Sequence, residues 1–92
     1  MQFAKKLRDR VRSGEITCSV RIWQQPRVKP GGRYRMDGGS IVVTRLERIE
    51  PEAITPALAR RSGFADVDDL LATAVHGRGE HCFLVEFRYE EA

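Results

Sequence analysis

Two segments with a strict two-residue period constrain this chain more than any other feature. In residues 16–23, Ile16, Cys18, Val20 and Ile22 alternate with Thr17, Ser19, Arg21 and Trp23. In residues 81–89, Cys82, Leu84, Glu86 and Arg88 alternate with Phe83, Val85, Phe87 and Tyr89. Successive side chains of a strand point to opposite faces, so this period predicts β-strands. The first has an apolar face and a second face carrying hydroxyls, a guanidinium and an indole. That second face is where function is expected.

Other elements are set by punctuation. Phe3, Ala4, Leu7 and Val11 recur at helical spacing, and Ser13-Gly14 ends the helix they predict. Pro26, Pro30 and Gly31-Gly32 make residues 24–32 a loop, with a short strand at residues 33–36. Asp37-Gly38-Gly39 signals a turn into the longest strand, residues 40–49, bulged near Arg45. Thr55-Pro56 predicts an N-cap and first helical residue for a helix from Pro56 to about Arg61, stopped by Gly63. Asp66 can cap a second helix from Val67 to about Val75, where Asp68 and Asp69 suit the positive end of the dipole. Gly77-Arg78-Gly79 breaks it before the closing strand.

The order helix, strands, two short helices, strand predicts one α+β domain over residues 1–92, with a small sheet of about five strands closed or nearly closed into a barrel. At 92 residues and 41% apolar composition, one modest core is expected, not two. No run approaches the roughly 18 apolar residues of a membrane span, and the N-terminus lacks the apolar run of a secretion signal. The expectation is a cytoplasmic protein that engages no membrane, with a monomer favoured. Cys18 and Cys82 lie inside apolar strands and read as buried free thiols. His76, His81 and Cys82 lack the paired spacing of a zinc site, so neither metal nor cofactor is expected.

Charge narrows the partner. Residues 1–35 hold ten Lys and Arg against two acids, and residues 36–92 hold six against eleven. The net charge of +3 therefore conceals parts of +8 and −5. Clustered cations attract phosphate through counterion release, which points to nucleic acid.

The stretch Gly14-Glu15-Ile16-Thr17-Cys18-Ser19-Val20-Arg21 resembles the signature G-x-K-x-x-T-x-R of the ASCH domain family, which has a PUA-like β-barrel fold. The likeness extends to the N-terminal helix, Lys29-Pro30-Gly31-Gly32, Gly63-Phe64 between short helices, and the closing Phe83-Leu84-Val85-Glu86-Phe87 strand. It implies an RNA-related role and a cleft lined by signature residues. In some members it implies hydrolysis of N4-acetylcytidine or of RNA. Gly14 and Arg21 match the signature, Ser19 stands for its threonine, and Ile16 replaces its lysine. An isoleucine can neither move a proton nor stabilise an oxyanion, which favours recognition over catalysis.

The leading expectation is thus an RNA-binding module. Arg21 suits bidentate contact with phosphate or a base edge, and Trp23 can stack on a base or fill the core. Arg27, Lys29, Arg33 and Arg35 would follow a phosphate backbone. Tyr34 can act as a platform or point inward. The alternative is a small hydrolase acting on a modified nucleoside or on RNA, with Ser19 as its hydroxyl. Glu86 is a candidate base, and an exposed strand position is its simpler reading.

Overall fold

In a computed structural model, which describes residues 3–74 and 81–92, the chain forms α1 (Lys5–Arg12), β1 (Cys18–Trp23), β2 (Arg33–Met36) and β3 (Gly39–Ile49). A 3-10 turn (Pro51–Ala53), α2 (Pro56–Arg61), α3 (Val67–Ala74) and β4 (His81–Glu91) complete the order. The expected Gly77-Arg78-Gly79 break and His76 lie outside the described residues. The four strands make one antiparallel sheet in the order β1-β4-β3-β2, curled into a half-barrel. The α+β class agrees with the sequence reading. Among the described residues there are four strands instead of about five, and β1 and β2 remain separate edges.

The place of a fifth strand is taken by residues 24–32. This segment leaves β1 at one edge of the sheet and enters β2 at the other. Its Val28 is buried in the same cluster as Val43, Val85 and Phe87, so it crosses the sheet as a strap on that face. Pro26, Pro30 and the glycines deny it strand conformation. It still docks by backbone, Gly31 N–H donating to Val43 O at 2.7 Å and Val43 N–H to Gly32 O at 3.0 Å. Gly32 also leaves room for the Tyr34 ring, which a Cβ there would strike.

Two buried clusters replace the single expected core. Phe3, Leu7 and Val11 recur at intervals of four, which puts them on one side of the N-terminal segment. With Ile16, Val28, Met36, Ile41, Val43, Val85 and Phe87 they form the larger cluster on one sheet face. On the other face Val20 and Leu84 meet Ile54, Ala59 and Leu70 from the α2 and α3 region. A sheet covered on both faces buries both phases of its alternation, so Cys18, Ser19 and Val20 are consecutively buried. Phe64 packs against both clusters and joins them.

The expected caps form. Thr55 Oγ1 accepts from Leu58 N–H at 3.1 Å, and Asp66 Oδ1 from Asp69 N–H at 2.8 Å. Gly63, at φ 96°, ends α2, and a Cβ there would lie 2.7 Å from Ile16 Cδ1 and 2.9 Å from Leu7 Cδ2. Left-handed backbone and a crowded neighbour act together at this site. Gly63→Ala should therefore cost about 2–4 kcal/mol in urea unfolding. Gly38→Ala, whose new Cβ meets nothing within 4 Å, should cost less than about 1 kcal/mol. Equal losses at the two glycines would refute this account of the α2–α3 link.

Candidate nucleic-acid interface

Strand register decides which side chains can act together. β1 pairs with β4 so that Ser19 faces Val85, Arg21 faces Phe83 and Trp23 faces His81. Directly paired residues share a face, which places Ser19, Arg21 and Trp23 on the α1 side of the sheet. The structure brings these three expected residues together.

Arg21 is the best-constructed of them. Its Nε donates to Ser19 Oγ at 2.8 Å, and its guanidinium carbon lies 4.9 Å from the centroid of the Phe3 ring. Burial pulls the Arg21 pKa down from its ordinary value, because the charged form loses water. An arginine starts so far above neutrality that it stays charged. A hydroxyl acceptor and an aromatic face therefore hold a partly desolvated cation in one orientation, the ring contact contributing about 1–2 kcal/mol in such a setting.

Ser19 is buried and accepts from a group that has no basic lone pair. Nothing in that contact can take the hydroxyl proton, so Ser19 orients Arg21. Trp23 is half-buried, its ring 5.9 Å from that of Phe83 with 36° between the planes. One side of Trp23 packs on the core, as one of its two expected roles requires, and the rest of the ring reaches solvent.

The remaining cations divide. Arg27 and Lys29 are exposed on the strap, where Lys29 N–H donates to Tyr34 Oη at 2.9 Å and Tyr34 packs inward on the larger cluster. Arg33 and Arg35 pair with Val42 and Ser40, which puts them on the sheet face opposite Arg21. Arg33 is engaged there, its Nη1 2.7 Å from Glu90 Oε1, while Arg88 Nη2 lies 2.7 Å from Glu90 Oε2. Glu86 is half-buried and bonds to Arg45 at 3.3 Å. Its hydrogen-bond partner is thus a residue of the neighbouring strand.

Arg48 is an addition that the sequence reading did not include. Val43 pairs with Phe87 and Arg45 with Glu86, so Thr44 is the extra residue of a bulge. One inserted residue inverts the faces of the residues after it. Leu46 and Arg48 consequently face Val85 and Phe83, on the Arg21 side. The sequence did carry a signal, since Leu46 is out of phase with Ile41 and Val43.

Cys18 and Cys82 are free and buried, Cys18 Sγ lying 3.5 Å from Ser62 Oγ. Among the described residues no group of three His, Cys, Asp or Glu could hold a metal ion, and no helix is long and apolar enough to cross a membrane. No family model, curated protein or solved structure matches the chain, so the ASCH resemblance rests on the residues that suggested it.

The clamp on Glu90 has a pH signature. Hydrogen bonds from Arg33 and then Arg88 hold its carboxyl below the usual carboxylate range. With the folded value depressed, the clamp stabilises fully above the unfolded glutamate value of about 4.3 and fades as pH falls through the folded value. Urea unfolding from about pH 7 to about pH 3 should show wild type losing its advantage over Glu90→Gln near the acid end. A constant difference between the two would show that Glu90 is not coupled to folding.

Proposed function

We propose that this chain is a nucleic-acid-binding module that holds single-stranded RNA on the α1 side of its sheet, with Arg21 at phosphate or a base edge and Trp23 stacking on a base. The observation that carries this reading is the fixed Arg21, oriented by Ser19 and Phe3 one strand-repeat from a half-exposed tryptophan. Base stacking on an aromatic tolerates any sequence, and an oriented guanidinium loses less freedom when it meets an anion. Arg27 and Lys29 on the adjoining strap add sequence-independent attraction. The choice of RNA over DNA comes from the ASCH resemblance. The half-barrel is compatible with a small barrel, and the PUA-like assignment comes from the same resemblance.

Hydrolysis of N4-acetylcytidine or of RNA finds less in the geometry. Ser19 faces an arginine instead of a base, and Ile16, at the signature's lysine position, is buried in the larger cluster.

Trp23 is the only tryptophan, so its fluorescence reports directly on the site. Titration with a short uridine-rich RNA should quench it, with affinity that falls as salt rises. Trp23→Ala should weaken binding by about 1–3 kcal/mol, and Arg21→Ala by a comparable factor. Circular dichroism confirms that each variant is folded. Affinity indifferent to both substitutions, or no preference for RNA over heparin, would leave only a general polyanion or acidic-protein surface.

A further inference from the structure

The bulge at Thr44 has a consequence for how a strand of RNA lies. Across the sheet, Arg21 of β1, Phe83 of β4 and Arg48 of β3 form one row on the α1 side. Two strand spacings separate the arginine backbones, about 10 Å. Phe83 between them is buried, and the Trp23 ring leans on it. Arg48 itself is exposed, with no acidic group within 4.0 Å among the described residues. The row is therefore cation, buried aromatic, cation, with Trp23 beside it on the same face.

We infer that Arg48 is a second anion contact of this site and that the bound strand crosses the sheet from β1 over β4 to β3. This inference rests on the nucleic-acid reading and specifies its path. The competing path tracks the basic residues in chain order, from Arg21 along the strap to Arg33 and Arg35. That path must pass around an edge of the sheet, since Arg33 and Arg35 lie on the far face. It must also compete with Glu90 for Arg33. The transverse path stays on one face of the sheet and ends at Arg48, which has no acidic group within 4.0 Å among the described residues. Both guanidiniums of the row carry planar donor forks that suit phosphate oxygens, and Trp23, two residues beyond Arg21 on the same face, tilts its ring against Phe83 beside the row. A duplex hides its base faces in its own stack, so the ligand that uses cations and indole together is a single strand.

Anisotropy titration of a labelled eight-nucleotide uridine RNA, over a series of salt concentrations, tests the path in the full chain. Arg48→Ala should weaken binding roughly fivefold, the scale of one lost contact, and reduce the magnitude of the salt slope by about 0.7. Arg48→Glu should weaken it further. Arg35→Ala should leave both affinity and slope unchanged. Because Arg48 is exposed on a strand, thermal melts of these variants should overlay wild type. Wild-type binding that is lost with Arg33→Ala or Arg35→Ala and indifferent to Arg48→Ala would overturn the transverse path while leaving the nucleic-acid reading intact. Absence of wild-type binding would overturn both.

Discussion

Backbone pairing along β4 is the interaction on which the other layers depend. This strand bonds to β1 on one side and β3 on the other, and its side chains feed both clusters: Val85 and Phe87 the larger, Leu84 the smaller. α1 has a surface to cover because Phe3 meets Phe87, at 5.4 Å between ring centroids. The α2 and α3 layer meets the sheet where Leu84 and Val20 stand side by side. A one-residue slip of β4 would exchange the two apolar sets and put Glu86 and Arg88 under α1, which is why the register is strongly specified.

The local elements were legible because each has a short-range cause. Thr55-Pro56, Asp66, Gly14, Gly63 and the Asp37-Gly38 turn act within four residues of themselves, and the helices and strands start and stop close to where they indicate. The features that escaped notice depend on partners far along the chain. Alternation in β1 shows two faces but cannot show that both will be covered, so two clusters looked like one. The strap was readable as a loop from its prolines and glycines. That it would cross the sheet and substitute for a fifth strand depends on β1 and β2 lying at opposite edges, a fact of topology.

The candidate site divides in the same way. Ser19, Arg21 and Trp23 share a face because period two requires it, and their grouping was visible in the sequence. Arg33 and Arg35 belong to the same basic stretch, yet the chain crosses to the other edge before reaching them and presents them on the far face. Arg48 was hidden for a related reason. Its face depends on one inserted residue at Thr44. A bulge near Arg45 could be suspected from Leu46, but the phase of residues 45–49 is fixed only by their pairing with β4.

Proximity in sequence also overstates the basic field. The cations of residues 1–35 and the acids of the second half are separate along the chain, but antiparallel pairing folds them together: Arg33 meets Glu90, and Arg8 lies 3.8 Å from Asp37. Arg10 and Arg12 are engaged within their own segment by Glu15 and Asp9. Those last two acids are already counted in the +8, and Asp37 and Glu90 answer part of the rest; a chain of net +3 exerts only a modest long-range pull on a polyanion. Counterion release scales with the number of phosphates contacted, so few contacts mean a shallow salt dependence and weak non-specific binding. Useful affinity must then come from contacts that are oriented before the ligand arrives. Arg21, already held by Ser19 and Phe3 beside the aromatic pair, meets that requirement better than the more numerous exposed lysines and arginines around it.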